Sequence, residues 1–185
     1  MDIYEPQEDS LLLKKYIKKY SKGIVLDMGT GSGIQALEAS SSKKVTKVYA
    51  VDINKESIDY CRRNIISKKI VFLTSNLFNI FKINKRFKDI KFDTIIFNPP
   101  YLPDNPNDND IALDGGKKGY ELICRFLNEA KPFIKPKTKM LLVFSSLTGK
   151  ETIDRYLSKK RFKFKELEKE NIFFEGIFIY LIENE

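Results

Sequence analysis

Three glycines fall within five residues, at Gly29, Gly31 and Gly33, in the run Asp27-Met28-Gly29-Thr30-Gly31-Ser32-Gly33. Glycine adopts left-handed backbone conformations that other residues avoid, so such a run dictates a tight turn that a ligand can approach closely. What flanks the turn constrains the architecture. The apolar Ile24-Val25-Leu26 before it reads as a buried strand, and residues 31–41 after it read as a helix. The alternation continues along the chain. Further strands are predicted at residues 47–51, 70–74, 92–97 and 139–145, and further helices at 7–20, 54–66 and around 120–127. Asn54 is placed to cap its helix, and Thr148-x-x-Glu151 reads as a capping box opening a helix to residue 159. Residues 79–91 read as a short helix or loop, 102–119 as loop, and 161–168 with 171–182 as a closing hairpin. Strands alternating with helices predict an α/β fold, with helices on both faces of a doubly wound, mostly parallel sheet. With no internal repeat or linker, residues 1–185 are expected to form one domain.

Composition removes whole classes of chemistry. The chain has no His, which excludes Ser-His-Asp and Cys-His catalysis and any His-ligated metal. Its two Cys, Cys61 and Cys124, cannot complete a four-ligand zinc site, so no metal is expected. Two lone thiols suit a reducing compartment. The start, Met1-Asp2-Ile3-Tyr4-Glu5, lacks the pattern of a signal peptide, and no apolar stretch reaches the ~18 residues that span a bilayer. A cytoplasmic location is expected. The chemistry has to rest on carboxylates, amides, backbone groups or a cofactor.

The glycine turn carries its own hint about that cofactor. Dinucleotide folds use Gly-x-Gly-x-x-Gly, whereas the spacing here is Gly-x-Gly-x-Gly. Asp27, beside the turn, repels a pyrophosphate but suits an ammonium. Asp52 ends the next strand, where an acid reaches ribose hydroxyls. A ligand with an ammonium, a sulfonium and a ribose, and no phosphate, matches this set. That ligand is S-adenosylmethionine, with S-adenosylhomocysteine as its product.

A second constellation follows the fourth strand, at the carboxyl edge where α/β folds bind ligands: Asn98-Pro99-Pro100-Tyr101. The Asn98 side-chain oxygen accepts a hydrogen bond. Proline cannot donate one, so the Pro99 carbonyl offers a second acceptor, and the ring-locked backbone fixes both. Tyr101 presents a flat face for stacking. Two fixed acceptors suit a planar amine or amide nitrogen and orient its electrons, which is catalysis by positioning.

These two motifs together resemble the amino-methylating class of S-adenosylmethionine-dependent methyltransferases. Two further stretches narrow the likeness. Tyr4-Glu5-Pro6-Gln7-Glu8-Asp9-Ser10-x-Leu12-Leu13 and Leu113-Asp114-Gly115-Gly116, with Gly119 after it, resemble the archaeal and eukaryotic HemK-like release-factor glutamine methyltransferases. The resemblance covers nearly the whole chain. It implies a seven-stranded Rossmann-like domain with strand order 3-2-1-4-5-7-6 and a C-terminal antiparallel hairpin. It also implies methylation of the Gln side chain in the Gly-Gly-Gln motif of a class I release factor. Glu8, Asp9 and Ser10 are then expected near the cofactor, with Asp27, Gly29, Gly31 and Gly33 at its methionine part. Asp52 and Ile53 are expected at its ribose, and Asn76 and Leu77 at its adenine. Asn98 lies against both cofactor and substrate. Pro99, Pro100, Tyr101, Asp114 and Gly115 line the substrate side. Asn76 stands where many members carry Asp, and its oxygen still accepts from the adenine amino group.

In that strand order the apolar run Ile70-Val71-Phe72-Leu73 is an unguarded sheet edge, whereas the opposite edge, Arg161-Phe162-Lys163-Phe164-Lys165-Glu166, is charged. A second chain is therefore expected to add a strand there. The resemblance implies that it is a small zinc-binding activator protein. Two other readings stand beside this one: a methyltransferase acting on exocyclic amines of adenine or guanine in DNA or RNA, and a binding module that has kept the fold without the reaction. There are 33 Lys and Arg against 25 Asp and Glu, a net charge of +8. That excess attracts phosphate. The basic residues are spread along the chain with no dense cluster beside aromatics, so nucleic acid ranks second as a partner.

Overall fold

The computed structural model describes residues 7–100, 119–172 and 175–184. A seven-stranded sheet runs in the order β3-β2-β1-β4-β5-β7-β6. The strands are β1 (Gly23–Met28), β2 (Val45–Asp52), β3 (Ile70–Thr74), β4 (Phe92–Phe97), β5 (Ile134–Ser145), β6 (Phe162–Ile172) and β7 (Glu175–Asn184). β1 to β5 pair in parallel, and β7 lies antiparallel between β5 and β6. The helices are α1 (Glu8–Tyr20), α2 (Ile34–Ser40), α3 (Lys55–Asn64), α4 (Asn79–Ile83), α5 (Glu121–Ala130) and α6 (Lys150–Lys159). This is the expected doubly wound α/β architecture, with the expected strand order and closing hairpin. Among the described residues no helix is long and apolar enough to cross a membrane.

Two cores sandwich the sheet. On one face Leu12, Leu13 and Ile17 of α1 pack with Ala36 and Ala39 of α2 against Val25, Val48, Ile96 and Leu141. On the other, α4, α5 and α6 cover Leu26, Ile95, Met140 and Leu142. The central strands are buried on both sides, which is why their sequences read as continuous apolar runs. Phe78 anchors the second core: it is fully buried and stacks on Phe133 at 5.1 Å and on Phe126 at 5.6 Å. Replacing Phe78 with Ala is expected to cost about 3–5 kcal/mol, read as a lower urea midpoint at unchanged slope.

Local boundaries differ from the sequence reading for physical reasons. Helix α2 begins at Ile34, because Gly29, Gly31 and Gly33 all take positive φ and belong to the turn. β5 starts five residues earlier than predicted; its first part bulges where Lys137 takes φ 67°. The Thr148 capping box does not open α6. Thr148 instead closes a 3-10 turn with Ser145, and α6 starts after the left-handed Gly149 with no side-chain cap. Asn54 does cap α3, accepting from the Glu56 amide.

Candidate methyl-transfer site

The carboxyl ends of β1, β2 and β4 meet at the glycine turn. The three glycines of the turn are placed by conformation, and Thr30 by a hydrogen bond to Asp27. The Gly29 φ of 64°, Gly31 φ of 51° and Gly33 φ of 81° are left-handed, so a side chain at any of them strains the backbone. At Gly33 a Cβ would also lie 2.4 Å from Ile65 Cδ1 and 3.0 Å from Cys61 Sγ. Cys61 donates to the Gly31 carbonyl at 3.3 Å, and burial pushes its thiol up to about 12. It is a buried packing group.

Two carboxylates lie under this turn. Asp27 is 1% exposed; its Oδ2 accepts from Thr30 Oγ1 at 2.6 Å, and it also accepts from the Ala36 amide. The side chain thus ties the turn to the start of α2. Burial raises its pKa to about 7, and the Asp52 charge adds to that. Asp52 accepts from the Gly31 amide at 2.8 Å and from the Asn54 amide at 2.8 Å. Burial raises its pKa as well. Each carboxylate oxygen has lone pairs beyond those used here, so Asp52 retains capacity for a ribose diol. Two desolvated acids in one place are relieved by a cation and aggravated by a phosphate. The donor set therefore fits the ammonium and sulfonium of S-adenosylmethionine and disfavours a dinucleotide.

Asn98 follows β4 and faces α1. Its Nδ2 donates to Asp9 Oδ2 at 2.9 Å and to Ser10 Oγ at 3.1 Å. Its Oδ1 is buried and has no hydrogen-bond partner among the described residues. An ionised Asp9 only accepts, so it fixes which end of the Asn98 amide turns toward it. The amide oxygen is left, on the side away from Asp9 and Ser10, as an acceptor without a partner among the described residues. Such an orphan in a buried position costs free energy unless a ligand completes it. Asp9 and Ser10, expected near the cofactor, are thus also the pair that orients Asn98. Gln35 on α2 supports them: its Nε2 donates to the Ser10 carbonyl at 2.9 Å. Pro99 is buried beside Asn98, and Pro100 is half-buried.

Other expected residues surround this centre. Ile53, next to Asp52, is 55% exposed and offers an apolar surface above the sheet edge. Glu8 is exposed at the start of α1. Leu77 is buried with φ 45°. Asn76 is exposed, and its Oδ1 accepts from Arg125 Nη2 at 3.0 Å. Arg125 is held in turn by Glu129 at 2.7 Å. The adenine acceptor read from sequence is therefore shared with a cation from α5, and Asn76 has one lone pair left for an amino group. Tyr101, Asp114 and Gly115 lie outside the described residues.

Sequence reading missed Thr30, Gln35 and Arg125. Thr30 had a local signal, since an Asp-x-x-Thr turn permits this bond. Gln35 and Arg125 had none, because their partners lie far away in the chain and only packing brings them close.

Known proteins resemble this chain in sequence and in fold. The model of the methyltransferase small domain family matches residues 7–174. A protein of Methanocaldococcus jannaschii, named for N5-glutamine methyltransferase activity, is 36% identical over 163 residues, 83% of this chain and 78% of its own length. A release factor glutamine methyltransferase of Rhodopirellula baltica is 29% identical; the match covers 77% of this chain and about half (51%) of that protein. Among solved structures, the E. cuniculi Mtq2–Trm112 complex, responsible for methylating the termination factor eRF1, matches with TM-score 0.77 at 24% identity, covering 100% of both chains. The tRNA m1G37 methyltransferase of M. jannaschii matches with TM-score 0.65 at 20% identity, covering 97% of this chain and 50% of that one. The turn, the two acids and the oriented Asn98 thus sit in a chain that belongs to the methyltransferase small domain family, on the HemK-like branch its motifs resemble.

Proposed function

We propose that this protein transfers a methyl group from S-adenosylmethionine to the side-chain amide nitrogen of the Gln in the Gly-Gly-Gln motif of a class I release factor. The observation that carries this is the buried, unpartnered Oδ1 of Asn98, with its amide fixed from behind by Asp9 and Ser10. When bound, S-adenosylmethionine supplies the electrophilic methyl group. The chain's own groups hold and aim the nucleophile. Asn98 Oδ1 and the Pro99 carbonyl accept the two amide protons of the Gln. Tyr101 stacks on the amide plane. Asp114 and Gly115 shape the entrance. With both protons held, the nitrogen presents its electrons in one direction; the carbon–sulfur bond of the donor breaks as the nitrogen–carbon bond forms, and the proton that the methylated nitrogen then loses passes to solvent, so no titrating base is needed. Asp27 and the glycines carry the methionine part, Asp52 with Ile53 the ribose, and Asn76 with Leu77 the adenine. Glu8 lies beside them.

The same two acceptors would suit an exocyclic amine of a base. Charge argues against it: the described loops at the carboxyl end of the sheet contain no Lys or Arg to hold phosphates. Incubation with labelled S-adenosylmethionine and, separately, release factor, DNA and RNA tests the choice. Label is expected in the release factor alone. Label confined to nucleic acid overturns the reading.

The partner is a small zinc-binding activator that pairs along β3, and a translation-factor substrate sets the reaction in the cytoplasm. The register supports strand addition. The Val48 amide bonds the Lys69 carbonyl and the Ser75 amide bonds the Asp52 carbonyl, so odd residues of β3 face β2 and even ones face outward. Arg62 already reaches the outward carbonyl of Phe72 at 2.8 Å, leaving the Phe72 and Thr74 amides pointing away from the sheet. Thr74 is exposed. Thr74→Pro removes an outward donor without touching the β2 ladder. It is expected to weaken heterodimer formation at least tenfold in a pull-down titration, with the isolated chain's melting temperature nearly unchanged.

A further inference from the structure

Twelve of the 33 basic residues, dispersed in sequence, are brought by the fold to one end. Loops that run from a helix into the next strand all lie at the amino end of the parallel sheet, opposite the methyl-transfer site. In sheet order, Lys68 precedes β3, Lys43 precedes β2, Lys22 precedes β1, Lys88 precedes β4, Lys131 precedes β5 and Arg161 precedes β6. Across these six loops there are twelve Lys or Arg and one acid, Asp89. The described loops at the other end hold no charged side chain at all. Among the described residues none of the twelve lies within 4 Å of a carboxylate; Lys22 acts on Asp93 only at longer range, whereas neighbouring Lys135 is held by Asp93 at 2.7 Å. Among the described loops, the charge is therefore concentrated at this end of the strands.

Helix dipoles favour cations in the last turn of a helix, an effect confined to that turn. That accounts for Lys18, Lys19, Arg62 and Arg63. It does not account for a field continuing through the loops from one sheet edge to the other. Seven strands at about 4.8 Å spacing make that field about 29 Å wide. A row of cations of this width, none of them in a close ion pair, matches a polyphosphate backbone, which carries about one charge per 1.7 Å of duplex. A membrane surface would call for an apolar face to insert beside the charges. Here the large apolar side chains exposed at this end, Ile66 and Ile83, lie on opposite faces of the sheet. With no exposed aromatic among the loops, contacts to bases have no stacking platform.

We propose that the amino end of the sheet binds the phosphodiester backbone of a nucleic acid without reading its sequence, holding the protein on it while the opposite end faces its substrate. The inference does not depend on the reaction proposed above, because the binding assay needs neither cofactor nor methyl acceptor.

Fluorescence anisotropy with a labelled RNA duplex, and with a DNA duplex of the same sequence, tests it. Binding is expected with a Kd of about 10⁻⁶–10⁻⁴ M at physiological salt, and log K should fall linearly with log salt concentration. The triple variant Lys43→Glu/Lys68→Glu/Lys88→Glu, all exposed positions, should weaken binding at least tenfold. Its salt slope should be shallower by about 0.9 for each phosphate that is no longer neutralised. The control Lys55→Glu/Lys165→Glu, away from this end, should change binding less than twofold. Comparing the RNA and DNA arms tells which backbone is preferred. Circular dichroism melting confirms that the triple variant folds, and the milder Lys→Gln set gives the same readout if it does not. Four results overturn the proposal: equal weakening by the control, salt-independent binding, tighter binding to phosphatidylserine vesicles or polyglutamate than to either duplex, or a lowered melting temperature with unchanged binding.

Discussion

Asn98→Ala is expected to lower methyl transfer by about 10²–10³-fold, the range seen when one preorganised polar group is removed from an active site. Cofactor affinity, measured by calorimetry, should change only severalfold. The physical reason is that Asn98 contributes fixed geometry. Its Nδ2 is held by Asp9 and Ser10, so its Oδ1 meets the substrate amide without reorganising. The same argument singles out Asp9. Asp9→Asn keeps the shape but introduces a group that both donates and accepts, so the Asn98 amide no longer has one preferred orientation. A fall in kcat of about tenfold or more at similar KM is the signature of impaired positioning. If Asn98→Ala retains near wild-type turnover, the two-acceptor mechanism is wrong.

The second large effect is a pH dependence centred on Asp27. Its pKa in the folded protein is raised from 3.8 to about 7, mainly by burial. An ammonium binds the ionised form. Cofactor affinity should therefore rise by up to about tenfold per pH unit as pH climbs toward 7. It should level off above that, until the ligand's own α-amino group loses its proton near about 8. Stability of the free protein moves the other way. A carboxyl with a raised folded pKa binds more protons folded than unfolded between about pH 4 and pH 7. Stability is thus highest at the acid end of that window and declines as pH rises through it. Bound cofactor should offset the decline. Asp27→Asn should flatten both profiles and weaken cofactor binding at neutral pH. Calorimetric titrations and urea melts across this window measure the two together. An affinity that is flat from pH 5.5 to 7 in the wild type sinks the assignment of Asp27 to the ammonium.

The buried thiols add nothing that titrates nearby. Burial pushes Cys61 to about 12 and Cys124 to about 11. Asp27 and Asp52, the carboxylates under the turn, are the site groups whose pKa values burial raises toward neutrality.

Local chemistry is what a sequence displays. The glycine turn, the acids after β1 and β2, and the Asn-Pro-Pro run were all legible, because each is a short pattern whose conformational or hydrogen-bonding consequence is fixed by residue type. The strand order followed from alternation and from a family likeness, and the doubly buried strands wrote themselves as apolar runs. The start of α2, the bulge in β5 and the true partner of Thr148 were not legible. Each is settled by backbone conformation and hydrogen bonding that short sequence patterns leave open. The amide orientation of Asn98 was also beyond reach. It depends on Asp9 and Ser10, almost ninety residues earlier, and on Gln35 holding the Ser10 carbonyl. The net charge shows the division most clearly. By itself the sequence determined its size and sign. Only the tertiary structure decided its direction, because a parallel sheet returns every helix-to-strand loop to the same end, where lysines far apart in the chain become one field.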